Sequence, residues 1–425
     1  MRGRKKGRQR WIWGLSLMLI AGCTGPDNPV VILPSNQAAT VSLTYFGNKY
    51  EPENVKVIEA IISQFMDENP GISVAYESLK GNAYYEALTK RMANGKGDDI
   101  FMVNHDTALT LAKQGQLADL SGLATIENYT DEMLSQMWEG NHIYWVPTTV
   151  SVFGLYCNLD LLKEYHHEVP ATLAQWEAIC DDFVRQGITP VIANNDISLK
   201  TVAIGMSLAA TYQAHQQAAY FEQINTGQAV LSEKLTSGFA YVEAMIQKGY
   251  LDPAATLTTQ KTSEDLDIFA QGEAPFLLTG AWAAGRLAQK ELDFQFSVVP
   301  YPLMENGSFV VINADTRLSV NADSSHREEA LRFIEFFTRS DNIQKFADQQ
   351  ASFSPLKNSR PSSLDQIQPL IPVYETGQAV IGSDSLLDKP IWELTAQAVQ
   401  RLLQGEPVNQ VMQQLDEEAD QEGSS

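Results

Sequence analysis

The sequence predicts an α/β protein in which mostly parallel sheets carry helices on both faces. Short apolar runs, typical of buried strands, alternate with segments whose apolar residues recur at helical spacing. The chain has 425 residues, enough for two or three domains or for one large unit of two lobes. Its hydrophobic content of 44% is typical of a globular protein with a full core.

The alternation is clearest in the first third of the chain. Strands are predicted where apolar and polar residues alternate or where a short run is wholly apolar, and Pro70-Gly71 ends the first helix. The predicted elements, in order, are strand Val41 to Phe46, helix Val55 to Met66, strand Ile72 to Tyr76, helix Tyr84 to Ala93 and strand Ile100 to Val103.

The pattern shifts near Tyr144 to Asn158, where Pro147 is predicted to break the chain. We therefore expect a lobe boundary there. The elements predicted beyond it are strand Ser151 to Tyr156, helices Leu173 to Arg185, Thr201 to Tyr212 and Ser237 to Lys248, strand Ser308 to Leu318, and helices Arg327 to Thr338, Pro390 to Leu403 and Val408 to Asp416.

The stretch Phe269 to Trp282, FAQGEAPFLLTGAW, packs three elements into fourteen residues. Gly272 is placed where a helix would end in a left-handed cap. Pro275 to Leu278 has the length of a buried strand, and Ala283 to Gln289 resumes helical spacing. Ligands of open α/β sheets bind beyond the carboxyl ends of strands, so this turn is a candidate ligand site.

Two residues of that turn suit a sugar ligand. Gly280 would let the backbone approach a ligand closely. Trp282 would offer a flat apolar face beside the free N–H groups of a helix start, which suits the C–H faces and hydroxyl edges of a sugar. The alternative is a core tryptophan in an ordinary strand-to-helix turn.

The N-terminus has the features of a lipoprotein signal. A basic segment, Arg2 to Arg10, precedes a twelve-residue apolar stretch from Trp11 to Gly22, which is short for a membrane span. The end of that stretch, Leu19-Ile20-Ala21-Gly22-Cys23, resembles a bacterial lipobox, so Cys23 is expected to carry the lipid. An uncleaved anchor or an ordinary signal peptide is the alternative. Residues 24–40 contain three prolines and are predicted as a tether.

The charge excludes some partners. The first ten residues hold six of the 30 basic groups, so the rest of the chain has 24 basic groups against 52 acidic ones, a net charge of −28. Nucleic acid and anionic lipid surfaces both require clustered Lys and Arg, and are therefore not expected partners. The acidic end of the chain, residues 416–425, is expected to fray.

The cysteines and histidines of the sequence give little indication of a metal site or a disulfide. Cys157 and Cys180 are expected to be buried thiols, although they could pair in an oxidising compartment. The six histidines are scattered and no zinc-binding motif is present, so neither a metal nor a cofactor is predicted.

Nine segments in order resemble the family 1 extracellular solute-binding lipoproteins of bacterial ABC importers, the group that includes maltose-binding proteins. The resemblance spans nearly all of residues 41–415. Asp98, Trp145 and Cys157 depart from the residues usual in that family. The segments are FMDENPGISV, GKGDDIFMVNHD, QGQLADL, HIYWVP, FGLYCNLDLL, GITPVIAN, FAQGEAPFLLTGAW, FSVVPYP and HREEALRFIEFFTRSDNIQKF.

This resemblance implies a two-lobed periplasmic-binding-protein fold of type II, with the ligand in a cleft between hinged lobes. The signal peptide would be 1–22 and the tether 23–40. Lobe 1 would comprise 41–149 plus 306–356, and lobe 2 would comprise 150–305 plus 357–415.

The family's sites imply a set of ligand-binding residues. The segment around Trp282 often carries a ligand-stacking tryptophan, maltose-binding proteins have an aromatic near Trp392, and Asp106 matches a ligand-contacting Asp of those proteins. Core packing is the alternative for each Trp, including Trp145 on the crossing segment, and a helix cap before Thr107 is the alternative for Asp106. Similarly placed at strand ends are Phe46, Asn48, Asn104, Asn195 and Asp196.

The expected function is capture of a carbohydrate, more specifically an oligosaccharide, by lobe closure and its delivery to the permease subunits of the importer. The protein would be a monomer held by its lipid on the extracytoplasmic face of the cell membrane. A binding protein for a peptide or polyamine is one alternative. A glycoside-processing enzyme is another, but no catalytic motif supports it.

Overall fold

The computed structural model describes residues 30–32, 39–261, 263–360, 362–376 and 379–422. The predicted signal segment and Cys23 lie outside these ranges. The strands are β1 Val30–Ile32, β2 Val41–Gly47, β3 Ile72–Ser78, β4 Ile100–Val103, β5 Trp138–Glu139, β6 His142–Ile143, β7 Val146–Asn158, β8 Val191–Ile192, β9 Phe276–Gly280, β10 Phe296–Val299, β11 Tyr301–Met304, β12 Gly307–Val320 and β13 Ala379–Ile381.

The helices flank these strands. The α-helices are α1 Pro52–Glu68, α2 Gly81–Ala93, α3 His105–Lys113, α4 Asp131–Met137, α5 Leu159–Glu164, α6 Leu173–Arg185, α7 Ile197–Gln213, α8 Gln217–Asn225, α9 Ser232–Gln247, α10 Pro253–Thr258, α11 Glu264–Phe269, α12 Ala283–Ala288, α13 Arg327–Phe337, α14 Ser340–Gln349, α15 Ile371–Glu375, α16 Ile391–Leu403 and α17 Val408–Glu422. Short 3₁₀ helices cover Ala124–Asn128 and Asp365–Leu370.

The strand order β1-β3-β2-β4-β12-β7-β9-β8 divides into two lobes at its centre. In the first lobe, β2 is parallel to both β3 and β4. In the second lobe, β9 is parallel to β8 but antiparallel to β7. The predicted two-lobed α/β class is therefore confirmed. The strands form one continuous mixed sheet, which is antiparallel where β7 and β12 connect the lobes.

The strands β7 and β12 connect the lobes as an antiparallel pair. Arg317–Val320 of β12 pair with β4 in the first lobe, whereas Val310–Ile312 pair with β13 in the second. Pro147 does not break the chain but lies within β7, so that prediction is wrong. Pro147 lies opposite Arg317 of β12, next to Thr316, whose left-handed backbone makes this part of the ladder irregular and leaves room for a residue without an N–H.

Helix α7 forms the centre of the second lobe. Its sequence is apolar or small on every side, and most of its residues are buried, as expected for a core helix. Gly205 allows the Phe309 ring to pack against it, because a Cβ there would lie 2.0 Å from that ring. Lys200 is the charged residue of this helix, and it is only 1% exposed.

Two predicted termini differ in the structure. Within the predicted tether, Val30–Ile32 form an antiparallel edge strand on β3, so the tether proposal is limited to the remaining residues. Helix α17 continues to Glu422 rather than fraying from 416. Leu415 and Ala419 are buried on this helix, and Arg401 pairs with Glu418. These contacts stabilise the last turns of the helix.

The prediction that Cys157 and Cys180 are buried thiols is confirmed, because both are buried and free. Burial raises the pKa of both thiols well above the usual value.

Candidate functional site

A cavity of about 570 Å3 opens where β7 and β12 pass between the lobes. This volume lies within the range usual for small-molecule sites. Loops that follow β2 and β4 line it from the first lobe, and Trp282 and Trp392 line it from the second. Residues 313–317 of β12 form its floor. We call this cavity the cleft.

Three aromatic side chains form the second-lobe wall of the cleft: Trp282, Phe153 and Trp392. The Phe153 ring lies edge-on to Trp282, with ring centroids 5.2 Å apart. It is tilted against Trp392 at 5.5 Å. Both tryptophans remain half-buried, so they keep apolar surface on which a ligand can stack.

Gly280 supports this wall without lining the cleft. A Cβ at Gly280 would lie 1.9 Å from the Trp282 ring, so only glycine leaves room for the indole there. Its carbonyl accepts a hydrogen bond of 2.7 Å from the Tyr156 hydroxyl. The predicted close approach of a ligand to Gly280 is therefore wrong, because the Trp282 ring occupies that space.

A charge cluster that contains the buried Lys200 holds Trp392. The Lys200 ammonium lies 4.1 Å from the centroid of the Trp392 ring and donates to the Trp392 carbonyl at 3.2 Å. It also donates to Asp196 at 2.6 Å, and Lys261 pairs with the same carboxylate. Burial would raise the pKa of Asp196, but the two lysines hold that pKa well below its usual value. The Asp196 charge is thus neutralised within the protein.

The first lobe supplies polar groups. Asn104, not Asp106, caps α3, because its side chain accepts from the Thr107 N–H at 2.8 Å. Asp106 lies in the first turn of α3 and lines the cleft. Asn48 also lines it and donates to the Tyr85 hydroxyl at 3.1 Å. The predicted residues Asn48, Asn104 and Asp106 are therefore brought together.

Phe46 and Asn195 do not line the cleft. Phe46 is fully buried, with its ring 4.6 Å from that of Tyr84 and 3.9 Å from the Arg91 guanidinium carbon. It points into the core because residues of a strand alternate between its faces. The Asn195 backbone bonds with Thr259 and Gln400, and the residue is not among those that line the cleft.

Trp145 also lies outside the cleft. It is 7% exposed, and the guanidinium carbon of Arg317 lies 4.0 Å from its ring centroid. Arg317, rather than Trp145, lines the cleft, so the predicted ligand-stacking role is replaced by packing against an arginine.

Sequence analysis missed Phe153 and the charged residues Asp315 and Arg317. Phe153 lies in a strand that is buried along its whole length, so no alternation distinguishes it. Asp315 accepts from Ser151 at 2.6 Å, and this bond and nearby Lys49 lower its pKa although burial opposes them. The sequence offered one signal for Asp315 and Arg317, which is their position on the long strand predicted at the hinge.

The described ranges contain no cluster of His, Cys, Asp and Glu suited to a metal ion. Nor do they contain a helix with the length and apolarity needed to cross a bilayer.

The family assignment follows from a match over most of the chain. The family model described as bacterial extracellular solute-binding protein matches residues 48–344. The chain belongs to this solute-binding family. The resemblance noted in the sequence is thereby confirmed, and membership implies an extracytoplasmic location for this solute-binding protein.

Known relatives match this solute-binding protein along most of their lengths. The multiple sugar-binding protein of Streptococcus mutans is 24% identical over 373 residues, which cover 84% of each chain. The apo form of RafE from Streptococcus pneumoniae superposes with a TM-score of 0.72 at 22% identity, covering 91% of this chain and 98% of RafE.

A ligand-bound structure shows the same fold. A sugar transporter component from Bacillus licheniformis in complex with stachyose superposes on this solute-binding protein with a TM-score of 0.69 at 20% identity. The match covers 90% of this chain and 100% of that one.

Proposed function

We propose that this protein binds a neutral oligosaccharide in the cleft by closure of its lobes. The observation that carries the proposal is the wall of Trp282, Phe153 and Trp392 facing polar groups of the other lobe. Indole faces stack on the C–H surface of a sugar, and the polar side chains meet its hydroxyls. Relatives named for multiple sugars, and one solved with stachyose, support this ligand class.

The charge of the cleft favours an uncharged ligand over a peptide or polyamine. Five basic and six acidic side chains line it, and several are already paired, such as Asp196 with two lysines and Glu51 with Arg286. A polycation would need carboxylates without such partners. The basic residues are Lys49, Lys200, Lys261, Arg286 and Arg317, and the acidic ones are Glu51, Glu53, Asp106, Asp196, Asp315 and Glu393.

The pKa values of two cleft carboxylates suit a binding role and not catalysis. A glycosidase needs a carboxylic acid whose pKa is raised so that it can protonate the leaving group. The pKa values of Asp196 and Asp315 are instead shifted downward. Asp196 and Asp315 therefore do not suit the role of the proton donor of a glycosidase.

We further propose that lipidation of Cys23 holds the monomeric protein at the extracytoplasmic face of the membrane, where it delivers its ligand to the permease subunits of an ABC importer. We expect a radiolabelled fatty acid supplied to producing cells to label the unmodified protein and not Cys23→Ala. Equal labelling of the variant would contradict lipidation of Cys23.

Thermal unfolding tests the ligand class. We expect raffinose, stachyose or maltotriose to stabilise the protein by about 2.7 kcal/mol at a concentration 100 times its Kd, which raises Tm by several degrees. Spermidine and a tripeptide serve as the cationic and peptide probes, and we expect neither to shift Tm. A shift with only those two probes would refute the carbohydrate proposal.

A further inference from the structure

Arg317 lines the cleft with an incompletely satisfied guanidinium. It is 2% exposed, and its Nε donates to the Ala314 carbonyl at 3.0 Å. Its Nη1 is buried and has no hydrogen-bond partner among the described residues. A buried donor without a partner destabilises the protein, because it has lost its hydrogen bonds to water. Such a donor beside a cavity therefore indicates an acceptor that arrives with a ligand.

The backbone before Arg317 holds it at the cleft floor. Thr316 has a φ of +46°, in the left-handed region, which is unusual for a β-branched residue. Two threonines of β7 fix this conformation: Thr148 donates to the Thr316 carbonyl at 2.9 Å and Thr149 donates to its hydroxyl at 3.4 Å. Strand residues normally alternate between faces, but the consecutive residues 313–317 all line the cleft.

Two more buried atoms lining the cleft have no partner in the described part of the chain: Asn48 Oδ1 and His105 Nε2. Burial, together with the charge of Arg317, lowers the pKa of His105 to about 3, so the imidazole is neutral. The first lobe thus presents a donor on Arg317 and an acceptor on Asn48. A sugar hydroxyl can satisfy either group, because it both donates and accepts.

The carboxylates near Arg317 stabilise its positive charge. Burial lowers its pKa to about 10, and the carboxylates of Asp315 and Asp106 oppose that shift, so it stays protonated at neutral pH. With two acidic neighbours, the guanidinium needs a hydrogen-bond acceptor and not a further negative charge.

We propose that Arg317 determines specificity by donating from Nη1 to an uncharged oxygen of the ligand, a hydroxyl or acetal oxygen. Trp145 is its positioning residue, since it packs against the guanidinium and does not line the cleft. This inference rests on the proposed binding of oligosaccharides. It identifies a polar residue of that site which hydrogen-bonds the ligand.

The test is titration calorimetry of Arg317→Met and Trp145→Leu, alone and combined. The probe is whichever of raffinose, stachyose and maltotriose stabilises the unmodified protein most, and digalacturonate is the anionic probe. We expect Arg317→Met to weaken binding of the neutral sugar at least tenfold. Trp145→Leu should weaken it less, and should have no further effect once Arg317 is replaced. Arg185→Met, at an exposed ion pair with Asp182, is the matched control.

The outcomes separate this proposal from the function on which it rests. Unchanged affinity of Arg317→Met would refute the role of Arg317 and leave oligosaccharide binding intact. Additive losses in the double variant would refute the positioning role of Trp145, and tighter binding of digalacturonate would refute the uncharged acceptor. If none of the three neutral sugars binds the unmodified protein, both proposals fail. Melting curves without sugar show whether Arg317→Met is folded. If it is unfolded, Arg317→Lys, which keeps the charge, replaces it. We expect Arg317→Lys to lose affinity as well.

Discussion

Replacing Trp282 by alanine is expected to weaken oligosaccharide binding by at least ~2 kcal/mol, about 30-fold in Kd. The indole supplies stacking surface on the aromatic wall, where it packs against Phe153. It is half-buried rather than sealed in the core, so its loss should affect the ligand more than the fold. Isothermal titration with the oligosaccharide that gives the largest thermal shift measures the change.

Two further variants sharpen this prediction. Trp138→Ala removes an exposed tryptophan outside the cleft and should leave affinity unchanged. Gly280→Ala keeps the indole but displaces it, because the added Cβ would collide with the ring, and should also weaken binding. Wild-type affinity in Trp282→Ala would show that this residue serves only to pack the core.

Glu132→Gln is expected to stabilise the protein at pH 8 and to leave its stability unchanged at pH 4. Burial, with the nearby carboxylate of Asp384, raises the pKa of Glu132 to about 7. The charge of Glu132 also contributes, after burial, to the raised pKa values of Tyr212 and Tyr374. We expect a gain of about 1–3 kcal/mol at pH 8, measured by urea unfolding.

The sign follows from proton binding. Because the folded-state pKa lies above the unfolded value, the folded protein binds more protons, and stability falls as pH rises from the unfolded pKa through about 7. Below the unfolded pKa the carboxyl is protonated in both states and the variant gains nothing. Exposed Glu127→Gln is the control. An equal gain at both pH values would show that charge is not the cause.

The strands β7 and β12, which connect the lobes, explain how residues of both lobes contribute to one site. Strand β12 pairs with β4 at one end and with β13 at the other, and its residues 313–317 lie at the cleft floor between them. A ligand that contacts both walls stabilises the closed arrangement only, which is the basis of capture by closure. The lobe borders at 149 and 150, 305 and 306, and 356 and 357 stay a prediction.

The sequence by itself determined the order of the elements that it predicted, because apolar periodicity and turn residues act over a few neighbours. Helix α6 begins and ends at its predicted residues, Leu173 and Arg185, and Gly272 has the left-handed φ of +76° expected of a helix end. Ordered motifs along the chain also identified the family.

Only the tertiary structure decided which side chains meet in the cleft. Trp282 and Trp145 both suit ligand stacking by sequence, but Trp282 lies on the wall with Phe153 whereas Trp145 packs against Arg317. Phe46 ends a strand as a ligand residue would, yet packs against Tyr84. Each difference depends on residues that are distant in the chain, because the packing of those residues decides how exposed the aromatic side chain is.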